Sequence, residues 1–383
     1  MVGYLIAGLP AGPVVDRTNP WRVLVAADAV RLAIFLILFG SLSWLPCGVW
    51  TILGLAWAAG VAGVFFETAL VVAVRDLFQG PKLLRANSFL EGSAQLSAVL
   101  GPALVGLVAT GAGLGAALLL DAATFAISLA TLRATARGAD SNAPEPADDK
   151  APPSDGHGFG IRATLKLARI EFVEGLRFLR RSPFLTGMVL LQVVTTFAQS
   201  AETLIPYFAR DRLGEPAHIV GSVVAGGGLG GILAAALAGV LGAHRRPLVA
   251  CAAGVLAMAV GLIGIGLASN AAVLIIANMV FIGGSVLAVI IIRTIRQQIV
   301  PRPLLGRVTS SVRSVVLAAG TAGTVLAGVC THLEGNNPRP VFLVAAALIA
   351  LALPLVWISA NASSLRPGRA RPAAGAAPVG TPE

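Results

Sequence analysis

Four carboxylates stand inside or beside long apolar runs: Glu67, Glu91, Asp121 and Glu202. A charge in hydrocarbon costs several kcal/mol, so each acid there must be paired, protonated or facing water. An acid that can lose and regain its charge is suited to carrying protons or holding a cation. Asn87, Gln95, Gln192, Gln199 and Asn278 lie on the same runs and can hydrogen-bond a substrate or a neighbouring helix. Other chemistries lack their constellations. Cys47, Cys251 and Cys330, and His157, His218, His244 and His332, are scattered without metal-ligand spacing, so no metal or other cofactor is expected. No Gly-Lys dipeptide occurs, hence no P-loop, and ATP hydrolysis is not expected. Gly226–Gly231 satisfies G-x-G-x-x-G, but it lies in an apolar window with no strand before it and reads as a close-packing helix face. Asn361-Ala-Ser363 has the form of a glycosylation acceptor at the inner end of the last apolar run. With no nucleophile–base pair either, the chain is not expected to be an enzyme.

The elements that position these acids follow from composition. The 383 residues are 56% hydrophobic and only 12% charged, with a mean hydropathy of +0.84. A soluble domain carries roughly a quarter charged residues, so this is an all-α polytopic membrane protein. Charge-free windows predict helices near 23–44, 49–74, 86–110, 114–134, 184–208, 218–242, 247–268, 271–292, 308–331 and 340–362. The breaks fall at SWLPCGVW, GAGLGA and ASNA. That gives about ten full spans, preceded by the apolar opening MVGYLIAGLPAGPVV. A fifteen-residue helix reaches roughly 22 Å, too short for a hydrocarbon core of roughly 30 Å.

All but Arg210, Arg212 and Arg339 of the 28 Lys and Arg fall on one set of loops. The positive-inside rule places that set, and the C-terminus, in the cytoplasm. Cys47 then lies at the outer face and Cys251 in the cytoplasmic half of its helix. The net charge of +10 comes in short groups between apolar runs, so a nucleic-acid partner is not expected. Residues 138–160 are rich in Pro, Gly, Asp and Ala and read as a disordered cytoplasmic linker. Residues 161–182 mix Leu, Ile, Phe and Val with Arg and Lys at helical spacing and read as an amphipathic helix on the inner leaflet. The linker parts an incomplete bundle (1–137) from a second bundle (183–364), and residues 365–383 form a cytoplasmic tail.

GPVVDRTNPWR resembles the loop signature of the major facilitator superfamily, Gly-x-x-x-Asp-Arg-x-Gly-Arg-Arg. Gly12, Asp16 and Arg17 match it, and Arg22 occupies a later basic position. The resemblance implies that Asp16 forms a cytoplasmic latch with nearby arginines, here Arg22 or Arg75, and with a helix start in the other half. ANSFLEGSAQLSAVLGPALVGLV, GAALLLDAATFAISLATLR and RQQIVPRPLLGRVTSSVRS look like the drug and siderophore exporters related to the enterobactin exporter, also called transmembrane secretion effectors. Gly101, Pro102 and Gly106 stand where antiporters of the superfamily carry Gly-Pro-x-x-Gly-Gly. Such a step loosens the backbone ladder and lets a helix pack closely.

The fold implied is two six-helix bundles, of which residues 1–15 supply the cytoplasmic half of the second helix. The first helix is then absent, and a start codon assigned too late is the expected reason. In the family the fourth, fifth and seventh helices face the central cavity and the sixth is peripheral. That ranks Glu202, Glu91 and Glu67 as coupling and cavity candidates and leaves Asp121 structural. The function implied is a secondary active exporter in the bacterial inner membrane, a monomeric proton antiporter of hydrophobic or amphipathic small molecules such as drugs or siderophores. Its partners are the substrate, protons and the lipid bilayer. The alternative is a non-transporting membrane protein, a sensor or a degenerate transporter remnant.

Overall fold

Proline opens most of the helices. Its missing N–H is no loss in a first turn, where that donor has no partner, and its fixed φ suits the helix. Pro20, Pro81, Pro183 and Pro247 begin their helices; Ser182 caps the helix that Pro183 opens by accepting from Leu185 N (3.4 Å), and Asn270 caps the helix that follows it by accepting from Val273 N (3.0 Å). The computed structural model describes residues 11–12, 14–16, 18–43, 48–140, 173–175, 177–240 and 246–364. Among them run ten long helices and no strand: α1 Pro20–Ser43, α2 Val49–Leu77, α3 (81–112), α4 (114–140), α5 Pro183–Arg212, α6 Ala217–Val240, α7 Pro247–Leu267, α8 Ala271–Ile299, α9 Arg302–Leu333 and α10 Arg339–Ser364. Eight stretches are long and apolar enough to cross a membrane, and Arg339–Pro354 is a shorter apolar helix. The fold is that of a polytopic all-α membrane protein. Exposed Trp50, Leu107, Ile276 and Leu351 face outward, as lipid-facing side chains do.

The predicted break at GAGLGA is a single residue, Gly113, with φ 85° and ψ 166°. Another break was not foreseen. After Gln199, α5 tightens into a 3₁₀ stretch, Ser200–Leu204, and later widens into a π turn, Phe208–Arg212. Pro206 lies between them and cannot donate to the carbonyl four residues earlier, that of Glu202.

In the second half α8 packs on α6 and α7, and α10 on α5 and α7. In the first half α1 packs on α2 and on the α3–α4 unit. The halves meet where α3 lies on α6 and α8, and where α2 lies on α9. The Gly226–Gly231 run is closely packed against two helices: Gly226, Gly227 and Gly230 approach α8, where a Cβ on Gly227 would meet Asn278 Nδ2 at 2.6 Å, and Gly228 and Gly231 approach α3, where a Cβ on Gly231 would meet Gln95 Cγ at 2.8 Å.

Of the segment 161–182, expected to be an amphipathic helix, residues 161–172 and 176 lie outside the described residues, as do 141–160 of the linker, and residues 138–140 continue α4. In the described part, 173–175 and 177–181, Leu179 is buried with Val300, Leu305 and Val308, while Val173 is exposed.

One buried ion pair was not singled out from sequence. Asp28 of α1 is 1% exposed, accepts from Ser128 Oγ of α4 at 2.5 Å and lies 3.7 Å from Arg31, whose guanidinium stacks over Phe66 and Phe125. Removing one member of such a pair strands the other charge. Asp28→Ala is therefore expected to destabilise the protein by about 3 kcal/mol. Adding Arg31→Met should restore part of the loss. Denaturant unfolding in detergent measures both, and an unshifted midpoint for Asp28→Ala would refute the assignment.

Candidate functional site

A cavity of about 670 Å³ lies between the halves, lined from α3, α5, α6 and α8. Two of the acids marked in the sequence meet in it, one from each half. Glu91 comes from α3, nearly three turns from its start. Glu202 comes from the 3₁₀ stretch of α5, where the tighter winding sets its direction.

The two acids have different surroundings. Glu91 lies 3.1 Å from Arg293 Nη2 of α8 and accepts from Gln95 Nε2 at 3.4 Å. Its charge is already balanced across the interface. Glu202 has no cation within 4.0 Å among the described residues; Gln199, one turn earlier, presents its amide to it. The other end of that amide, Gln199 Oε1, accepts from Ser285 Oγ at 3.0 Å. Arg212 does not reach Glu202 but donates to Gly335 O (2.7 Å) and Asn336 O (3.0 Å). Asn278 donates to Val223 O at 2.9 Å, and its buried Oδ1 has no hydrogen-bond partner. Among the described residues lining the cavity there is no Lys, Arg or His.

Other marked residues are elsewhere. Glu67 is outside this cavity: it pairs with Arg313 of α9 and is half exposed. Asp121 does not line it either. Gln192 accepts from Arg296 Nη1 at 3.1 Å. Asn87 ties the halves, donating to Thr294 Oγ1 (2.8 Å) and Gln297 Oε1 (2.6 Å). Helix α3 passes through Gly101, Pro102 and Gly106 unbroken, and a Cβ on Gly101 would meet nothing within 4 Å. The close approach on α3 is at Gly92 instead, where a Cβ would lie 3.3 Å from Ala235.

The Arg-rich ends of the helices are drawn together. Asp16 accepts from the backbone N–H of Gly306 (2.7 Å) and Arg307 (2.9 Å), in the first turns of α9, with Arg307 Nε at 3.8 Å. A carboxylate is favoured there by the dipole of the helix start. Gly12 and Gly306 permit this approach, since a Cβ on either would lie 2.7 Å from the other's carbonyl oxygen. The latch partner is thus Arg307 and its helix start, not Arg22 or Arg75. Arg75 Nη1 is buried without a hydrogen-bond partner, Arg22 is exposed, and Arg17 lies outside the described residues. Further ties are Arg302 to Asp76 (2.9 and 2.8 Å), Glu67 to Arg313, and Arg307 Nη1 to Glu174 (2.8 Å). Nothing local in the sequence points Asp76 to Arg302, Glu67 to Arg313 or Glu174 to Arg307. The lining of the cavity runs from Pro206, Val224 and Asn278, toward the Arg-poor ends, down to Glu91 and Val289. The halves are therefore tied at the Arg-rich face, and the cavity lies between that face and the Arg-poor ends of the same helices.

A gated cavity between two helical halves is the arrangement of alternating-access carriers. The family model described as Major Facilitator Superfamily matches residues 1–324. The chain belongs to the Major Facilitator Superfamily. It is 26% identical over 373 residues to the multidrug efflux pump Tap of Mycolicibacterium fortuitum, a match covering 92% of this chain and 82% of that protein. It is 27% identical over 377 residues to Tap of Mycobacterium tuberculosis (strain ATCC 25618 / H37Rv), covering 93% and 80%. Among solved structures it is similar to the human organic anion transporter MFSD10, with a TM-score of 0.74, 17% identity and coverage of 92% and 80%. It is also similar to a bacterial homologue of the iron transporter ferroportin in an outward-facing state, with a TM-score of 0.70, 15% identity and coverage of 94% and 88%. This facilitator-type chain is thus a multi-pass membrane transporter.

Proposed function

We propose that this transporter is a secondary active exporter of amphipathic or hydrophobic small molecules, drugs or siderophores among them, driven by inward proton flow. The observation that carries the reading is the convergence of Glu91 and Glu202, from opposite halves, on one cavity with no lining cation among the described residues. Glu91 is balanced by Arg293, so Glu202 is free to exchange a proton for a substrate cation or a hydrogen-bond donor. Similarity to the Tap multidrug efflux pumps supports drugs as the cargo. The Arg-rich face is the cytoplasmic side of the bacterial inner membrane. In that orientation the ties between the halves lie on the cytoplasmic side and the cavity beyond them, as an outward-facing carrier requires.

The test is ethidium transport by the purified chain in proteoliposomes. A pH gradient should drive uptake into acidic-inside vesicles, and collapsing it should stop uptake. No gradient-dependent movement of ethidium or of a panel of drugs and siderophores would refute the reading and favour a non-transporting protein. Orientation is tested in intact cells lacking the native cysteines. An impermeant thiol reagent should label Glu334→Cys and spare Lys82→Cys. Cys251 is fully buried and cannot report it.

A further inference from the structure

Beyond the central cavity the molecule carries two lipid-facing grooves, one in each half, with volumes of about 770 and 620 Å³. They are equivalent by internal repeat. Val23, Ala26 and Val30 of α1 line the first as Ala250, Ala253 and Ala257 of α7 line the second. Trp57, Ala58, Val61, Ala62 and Phe65 of α2 likewise match Met279, Val280, Gly283, Gly284 and Leu287 of α8. A groove built twice at one register belongs to the architecture. Exposed Val30 and Trp57 flank the first, and exposed Leu237 and Ile276 the second, so both open onto the acyl region of the bilayer.

The two differ at one end. The first groove terminates, at the Arg-rich face, in Thr18, Asn19 and Arg22. Among the described residues the second is lined by apolar side chains, and the register above puts Val249 where the first has Arg22. Arg22 is exposed, has no carboxylate within 4.0 Å among the described residues, and takes no part in the latch. A cation in the first turn of a helix also opposes the helix dipole, so its place there does not serve α1. The N–H groups of that first turn are already taken by Asn19, so it is the guanidinium, with its parallel N–H donors, that suits a phosphate.

We propose that the α1–α2 groove binds an anionic phospholipid, with an acyl chain along Ala26, Val30, Val61 and Phe65 and the phosphate on Arg22. A bulk headgroup would satisfy Arg22 without selecting a lipid. The proposal instead requires one bound molecule, dependent on both the charge and the groove.

The experiment uses the full chain in detergent with phosphatidylglycerol or phosphatidylcholine, read by native mass spectrometry during delipidation. The wild type should retain one phosphatidylglycerol about fivefold better than phosphatidylcholine, the preference one surface arginine supplies. Arg22→Gln should remove the preference. Ala26→Phe, which fills the groove, should release the lipid, whereas Ala253→Phe in the second groove should leave it bound. Val249→Arg should add a second phosphatidylglycerol. An unselective wild type, or a preference surviving both Arg22→Gln and Ala26→Phe, would overturn the proposal.

Discussion

Glu202→Gln is expected to bring proton-driven export down to the level of vesicles without the protein, while expression and substrate binding stay near those of the wild type. Glutamine keeps the shape of the side chain and its contact with Gln199, so the 3₁₀ stretch of α5 has no reason to rearrange. What is lost is the ability to take up a proton on one side and release it on the other. Because no cation lies within 4.0 Å of Glu202 among the described residues, the substitution strands no partner. Glu91→Gln differs in this respect, since it leaves Arg293 without its carboxylate and should lower stability together with export. Ethidium flux and equilibrium binding in the same proteoliposomes separate the two. A Glu202→Gln variant that still exports against its gradient under a pH difference would remove Glu202 from the coupling.

Asp16→Asn should open the Arg-rich face. The carboxylate holds two backbone N–H groups of α9, one on each oxygen, and its side chain is 3% exposed. An amide keeps one acceptor and turns its NH₂ toward the other N–H. Hydrogen bonds to a charged group contribute about 1.5–3 kcal/mol each, so losing one shifts the closed-to-open ratio by roughly ten- to a hundredfold. Gly306→Val should act in the same direction by sterics, because a Cβ there would lie 2.7 Å from Gly12 O and 2.8 Å from the Asp16 carboxyl carbon. Lys82 of α3 and Gln298 of α8 are exposed on opposite halves at this face. Spin labels on cysteines at these two positions should report longer distances in both variants. A distance distribution identical to that of the unsubstituted latch would refute its role. The remaining ties, Asp76 with Arg302 and Glu67 with Arg313, limit how far a single change can move the equilibrium.

The spans and the breaks between them, though not the 3₁₀ and π turns within α5, were legible in the sequence because a bilayer forces each backbone group to be satisfied within its own helix. An apolar run bounded by Asn270, or interrupted at Gly113, announces its limits locally. The segregation of arginine onto one set of loops is equally local. Partnership was not legible. Glu67 finds Arg313 at a separation of 246 residues, and Asp16 finds Gly306 at a separation of 290. Such pairs depend on how two bundles dock, which no local pattern encodes. Asp28 escaped notice because AADAVRLAIF reads as a charged edge of a span, whereas Pro20 starts the helix early enough to carry Asp28 about 12 Å inward. The residue types of the site were therefore written in the sequence. Only the packed structure decided that Glu91 would be balanced by Arg293, that Glu67 would serve the gate, and that Glu202 would face the cavity without a counter-charge. Hydrophobic periodicity is a property of one helix, whereas charge pairing across a bundle interface is a property of the docked pair.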